Sequence, residues 1–176
     1  MPHTAVPASE LTARLNELRR VMSATHPDWK MVLLDNKIDL YYFTGTMQEG
    51  ALVITPDEAA LFVRHSYECA VRDSRFPDIR PLGSFRGIAS AFPEIPETVY
   101  VAARTMTLQK LTMLQKYLPF APSPIDGILS GLRSVKSEYE LDCMRHAGKI
   151  HAKVLETVAP ALLRPGLSEA RLCAEI

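Results

Sequence analysis

Met31 to Asp35 reads MVLLD, four consecutive apolar side chains with no polar alternation. A strand of that kind has no side to offer solvent, so it belongs at the centre of a sheet covered on both faces. Thr98 to Ala103 (TVYVAA) repeats the pattern and is read as a second buried strand. Gly50 to Thr55 (GALVIT) and Ala59 to His65 (AALFVRH) flank Pro56, Asp57 and Glu58. That spacing, with Pro at the first inner turn position, makes a hairpin of two antiparallel strands. A further short strand is expected near Ile79 to Leu82.

Helical periodicity fills the gaps between these strands. After a Pro-containing arm, Met1 to Ala8, Ser9 is a good N-cap; Leu11, Leu15, Leu18 and Met22 then line one face, with Arg14, Glu17, Arg19 and Arg20 on the other. This helix ends before His26 and Pro27. In Asn36 to Thr46 (NKIDLYYFTGT) the aromatic and β-branched residues favour strand, whereas Asn36 as cap, Asp39 three residues on and Gly45 as terminator favour a short helix. The short helix is the reading adopted. Further helices are expected over Ser66 to Ser74, from Ser84 with Phe85, Ile88, Ala89 and Phe92 inward, and over Thr107 to Leu118 with Leu108, Leu111, Leu114 and Leu118 on one stripe. Pro119, Pro122 and Pro124 then break up the connection to Asp126. Alternating strands and helices specify an α/β layer fold, and the hairpin makes its sheet mixed.

Gly131 to Val158 has a different character. Ser137 and Glu140 form a capping box that opens a long helix. Leu141, Met144, Gly148, His151, Leu155 and Val158 recur at helical steps, and Cys143, Ala147, Ile150 and Val154 widen the stripe into a broad apolar face that must be buried. Leu163 to Gly166 make a turn, and Leu167 to Ile176 begins another helix at Ser168. The expectation is one complete domain followed by the opening of a second whose remainder is absent, with an uncovered apolar face prone to association.

Composition supports that division and removes several function classes. At 176 residues and 47% hydrophobic content, the chain can bury one core of about 130 residues with a helical hairpin left over. Twenty basic residues balance twenty acidic ones, so no basic field exists for nucleic acid or an anionic membrane. Cys69, Cys143 and Cys173 are widely spaced and odd in number, which fits neither a disulfide framework nor a zinc site and points to a reducing cytoplasm. No secretory signal precedes the first helix, and no run of about eighteen apolar residues could span a membrane.

The residues themselves yield no complete active site and no catalytic residue. His146 and His151, beside Asp142, are five apart and diverge by about 140° on a helix, so they read as one exposed and one packed His rather than as metal ligands. Cys143 reads as core. Arg64, His65, Ser66 and Tyr67 turn a strand into a helix, either as a Ser66 cap with solvated charges beside it or as the lining of a cleft. Thr44 to Gly50 is a polar, Gly-flanked loop that is either a connection or a cover for a ligand. No phosphate-binding glycine motif occurs.

Two stretches carry a family resemblance. Asp35 to Gly50 (DNKIDLYYFTGTMQEG), followed by the hairpin and Tyr67 to Ala70, resembles the N-terminal domain of the creatinase, prolidase and aminopeptidase P family. Leu132 to Ile176, with SVKSEYELDCMRHAGKI and LLRPGLSEARLCAEI, resembles the first two helices of that family's C-terminal pita-bread domain. The resemblance implies a three-layer α/β/α domain with a mixed, ribonuclease H-like sheet over residues 1–131, and the start of a catalytic domain over residues 132–176. It further implies a metallopeptidase that hydrolyses Xaa-Pro bonds, as dipeptidase or aminopeptidase, using two divalent ions, manganese or cobalt. Their ligands, two Asp, a His and two Glu, would lie beyond Ile176, so that this chain alone holds neither metal nor activity. Family members are homodimers acting on proline-containing peptides, and the loop after their Tyr-Phe-Thr-Gly motif faces the partner's active site. On matching positions this nominates Met47, Gln48 and Glu49, with Phe43 as an apolar wall.

One departure stands out. Where many members have Asp-Gly-Arg-Tyr, this chain has Arg64, His65, Ser66 and Tyr67, keeping only the Tyr and leaving Arg64 to take over part of the corner's role. The resemblance also admits creatinase-like amidinohydrolysis without metals, in which Arg64 would anchor a substrate carboxylate. A third possibility is a non-catalytic peptide-binding member, such as a domain of a large histone chaperone subunit, although zero net charge does not favour histones.

Overall fold

The computed structural model describes residues 5–175; residues 1–4 of the expected N-terminal arm, and Ile176, lie outside the described residues. The chain divides into two compact units, Met1–Ser134 and Val135–Ile176.

The first unit is built on a mixed sheet of β1 (Val32–Leu34), β2 (Gly50–Ile54), β3 (Ala59–Val63), β4 (Ile79–Pro81), β5 (Thr98–Val101) and β6 (Ala121–Pro124). Their order is β4-β3-β2-β1-β5-β6. Strand β2 is antiparallel to both β1 and β3, and the other pairings are parallel. The helices of this unit are α1 (Ala8–Thr25), α2 (Lys37–Thr44), α3 (Tyr67–Asp73), α4 (Arg86–Ala91), α5 (Leu108–Gln115) and α6 (Asp126–Ser134). As MVLLD required, β1 is central and wholly buried.

Alternation along the strands divides the core into two layers. Leu33, Val53, Phe62, Val99 and Val101 point to one side, where Phe85, Ile88 and Phe92 around α4 and Leu114 and Leu118 around α5 cover them. Val32, Leu34, Leu52, Ile54 and Leu61 are left for the opposite side, together with buried Leu11, Leu18 and Met22 of α1 and Leu40 and Phe43 of α2. Helix α1 packs against α2 and α6, and its Arg19 Nε donates to the Thr55 carbonyl at 3.0 Å, fastening it to the hairpin turn. Every expected strand and helix up to Leu118 forms, including α2, whose Asn36 side chain accepts from the Asp39 amide and whose Gly45 adopts φ 74°.

Several details differ from the sequence reading. Helix α1 begins two residues early: Pro7 holds the cap position, its carbonyl accepts from Glu10 and Leu11, and Ser9 lies inside the first turn instead of capping it. Arg14, expected on the solvent face, is buried over the Tyr42 ring, paired with Glu10 and donating to the Tyr42 carbonyl at 2.7 Å. Ser66 occupies the cap position of α3 but makes no side-chain cap; it holds φ 57°, the left-handed turn that redirects the chain out of β3. In β5, Thr98 is exposed and Tyr100 only half-buried, its ring 4.7 Å from that of His26, so the strand alternates instead of being buried throughout. Leu108, at the start of its stripe and the first residue of α5, is 78% exposed.

Two elements were not foreseen. The proline-rich connection is strand β6, parallel to β5 at the sheet edge. Ala121 and Ile125 donate to Glu97 and Val101 of the β5 side. By the two-residue repeat, the positions of Pro122 and Pro124 face the open edge, where no amide donor is needed. Helix α6 then runs through Gly131 to Ser134, with Ile125 and Leu129 buried.

The second unit contains α7 (Glu138–Lys153), a π-helical turn at Val154–Val158, α8 (Ala159–Leu162) and α9 (Glu169–Glu175). The Ser137/Glu140 capping box is formed. The π turn sits immediately before Pro160, whose missing N–H and bulky ring forbid the ordinary helical bond back to Glu156. The broad apolar face expected to be buried is not: no described residue of this unit is buried, and Cys143, read as core, is exposed. Met144, Ile150 and Leu155 are 51–70% exposed. His146 and His151 are both exposed. These few helices contain no second layer to cover one another's apolar stripes.

Candidate functional site

Strands β1, β3, β4, β5 and β6 point the same way, so their carboxyl ends share one edge of the sheet, and β2 starts from that edge. The connection through α2 leaves β1 towards β2, whereas β5 lies on the other side of β1 and leads through α5 to β6. Strand order thus reverses between β1 and β5, the place in an open α/β sheet where a crevice forms. Asp35, Glu49 and Arg64, flanking β1, β2 and β3, all reach this edge.

The loop from Gly45 to Glu49 is held at its base. Thr44 Oγ1 donates to the Leu40 carbonyl at 2.6 Å, and the Ser74 hydroxyl donates to the Thr44 carbonyl while accepting from the Phe76 amide at 2.9 Å. Gly45 N–H donates to Tyr41 O at 2.8 Å. Thr44, Thr46 and Ser74 are buried; Met47, 59% exposed, and Glu49 stand out from the stapled base.

The structure separates the five residues nominated from the sequence. Phe43 is fully buried in the core, edge-on to Tyr42 with ring centroids 4.9 Å apart, and lines neither depression described here. Met47 and Gln48 line a depression of about 690 Å³ with Tyr41, Arg72 and Arg75. There Arg72 is hydrogen-bonded by its Nε to Asp73 at 2.7 Å, which holds the guanidinium pKa above its usual value. Glu49 and Arg64 instead line a second depression of about 260 Å³ with Thr107, Lys110 and Met113 at the start of α5. The Arg64 amide donates to the Glu49 carbonyl at 2.8 Å, so the two residues are locked side by side through their backbones.

Three features were not read from the sequence. Asp35 is nearly buried, with one carboxylate oxygen 2.8 Å from Lys110 Nζ and the other without a partner. Its place, an acid directly after a buried strand, was the available signal. Ser74 was read only as the end of a helix, although it staples the loop base. Asp39 was read as a helix-start residue, but its buried carboxylate also pairs with Arg133 of α6 and accepts from Asn36. A residue 94 positions away leaves no local trace.

Among the described residues, no group of three or more His, Cys, Asp or Glu side chains could hold a metal ion, and no helix is long and apolar enough to cross a membrane.

The prolidase from Pyrococcus furiosus superposes with a TM-score of 0.75 at 23% identity, over 92% of this chain and 50% of that one. For the Xaa-Pro dipeptidase from Bacillus anthracis the values are 0.78 and 19%, over 94% and 47% of the two chains. A Xaa-Pro aminopeptidase from Streptococcus pyogenes matches at 0.61 and 17%, over 72% of this chain and 99% of that shorter one. The chain thus spans about half the length of the first two. No curated protein sequence matches it. The family model for the creatinase/prolidase N-terminal domain matches residues 14–135, which include the whole six-stranded sheet. On that match, the chain belongs to the creatinase/prolidase N-terminal domain family.

Proposed function

We propose that the chain is the N-terminal half of an Xaa-Pro peptidase, a cytoplasmic homodimer that hydrolyses the bond between an N-terminal residue and proline. The observation that carries this reading is the likeness of 92% of the chain to half of a prolidase. In this reading, residues 1–131 form the N-terminal domain and residues 132–176 open a pita-bread catalytic domain. Among the described residues no group of side chains could hold a metal ion; in this reading the manganese or cobalt chemistry would be supplied by a catalytic domain outside this chain, and no catalytic step is assigned here.

What this chain's own residues do is position and recognise. The stapled base fixes the loop, so presenting its tip to a partner subunit carries little ordering cost. Exposed Met47 offers an apolar contact for a proline ring, with Gln48 beside it. Glu49 is suited to a peptide's free amino group and Arg64 to a carboxylate. Phe43, fully buried, belongs to the core and not to the recognising surface.

The test is hydrolysis of Xaa-Pro dipeptides by this chain and by the longer product of the same reading frame, with manganese or cobalt supplied. Turnover by the longer product alone is expected. Turnover by this chain alone, or by neither, would overturn the proposal. In the longer product, Met47→Ala should raise KM about tenfold with kcat little changed, because it removes binding shared by ground and transition states.

A further inference from the structure

We propose that the depression between Glu49, Arg64 and the first turn of α5 binds a small apolar α-amino acid as its zwitterion. Three observations converge on that ligand class. The first is a pair of opposite charges, both open to solvent and not engaged with each other. Glu49 and Arg64 both line the depression, yet among the described residues neither side chain has a hydrogen-bond or ion-pair partner. Two opposite charges side by side without pairing suit a ligand that carries both, its carboxylate on the guanidinium and its ammonium on the Glu49 carboxylate.

The second observation is the placing of Lys110. Its Nζ is held 2.8 Å from Asp35, a side chain only 5% exposed, while Lys110 itself stays 28% exposed on the wall of the same depression. An ammonium has three donors and one is used by Asp35, so the wall keeps donors for the ligand carboxylate beside Arg64. Thr107 caps α5 by accepting from the Lys110 amide at 3.2 Å, which brings the positive end of that helix to the same wall. The third observation is size and lining. About 260 Å³ is room for about nine water molecules. Phe85 and Met113, the latter 44% exposed, supply an apolar side to receive an aliphatic side chain. The crevice stands near the reversal of strand order, where an open α/β sheet most readily admits a small molecule.

A free amino acid differs from a peptide terminus in presenting both charges on one carbon, and this sets the test. The Met113 methyl group, labelled with ¹³C in the 176-residue chain, reports on L-leucine, N-acetyl-L-leucine and L-leucinamide in turn. L-leucine should produce a saturable shift. Each derivative should bind at least about tenfold more weakly, the loss expected for one charge-assisted contact. Arg64→Met should erase the difference between leucine and leucinamide only, and Glu49→Gln the difference between leucine and N-acetyl-leucine only. No saturable shift up to about 20 mM, well above ordinary small-ligand dissociation constants, would overturn the assignment. So would derivatives that bind as tightly as leucine, or variants that leave the preferences unchanged. The measurement needs neither metal nor turnover. Its failure leaves the peptidase reading standing, and the failure of that reading leaves this site standing.

Discussion

At the scale of single residues, Asp39 shows how much a local motif conceals. Its amide completes the Asn36 cap of α2, which the spacing alone indicated. Its carboxylate, 4% exposed, faces Arg133 from the far end of the unit. Tyr42, three residues on, donates through its hydroxyl to the Leu132 carbonyl at 3.2 Å, so α2 and α6 are joined twice. Removing one partner of such a pair leaves a buried charge uncompensated, which is more costly than never having built the pair. Arg133→Met should therefore lower stability by about 2 kcal/mol, less than for a fully enclosed pair because Arg133 is one-third exposed. Adding Asp39→Asn should recover more than half of that loss. Urea denaturation of the two variants checks both outcomes; equal stability of Arg133→Met and the unmutated chain would show that the pair contributes nothing.

Among the elements, the hairpin imposes the tightest local constraint. Gly50 opens β2 opposite Val63, and a Cβ built there would lie 2.1 Å from the Phe62 carbonyl oxygen and 3.2 Å from Val63 Cα. Both obstacles are backbone and cannot swing aside. Gly50→Ala is expected to cost about 3 kcal/mol or more, through a strand displaced at the point where Glu49 enters it. A thermal unfolding midpoint unchanged from the parent would refute this. The capping box of α7 is the opposite case, formed wholly from its own sequence. Ser137→Ala should fray that helix start by about 1 kcal/mol, visible as faster exchange of the Glu140 amide. Legibility follows this divide. The α7 capping box, the Asn36 cap, the turn at Pro56 and the Gly45 terminator depend on neighbours within four residues. Strand β6 was missed because Pro122 and Pro124 look like breakers until the open edge beside them is known.

For the whole molecule, the decisive contrast lies between the two units, each taken by itself. The first has buried residues on both faces of its sheet; in the second no described residue is buried. Protection from exchange follows buried, hydrogen-bonded backbone. Slow exchange should thus be confined to the first unit and strongest in β1, β2 and β3, whereas amides from Val135 onward exchange within minutes. Hydrogen-exchange mass spectrometry on the chain tests this directly, and protection of α7 equal to that of β1 would contradict it. By itself the sequence determined the order of strands and helices up to Leu118, the mixed sheet with β1 at its centre, and the caps of α2 and α7, though not those read at Ser9 and Ser66. Those rest on periodicity and on contacts a few residues apart, which composition at each position controls. Only the tertiary structure decided that Arg14 is buried, that Asp35 meets Lys110, that Arg133 meets Asp39, and that the nominated residues divide between two depressions with Phe43 in the core. Each depends on partners 28 to 94 residues apart or on which edge a loop leaves. Polar side chains at such distances leave no period in the chain, and their free energy is realised only once the layers have closed around them.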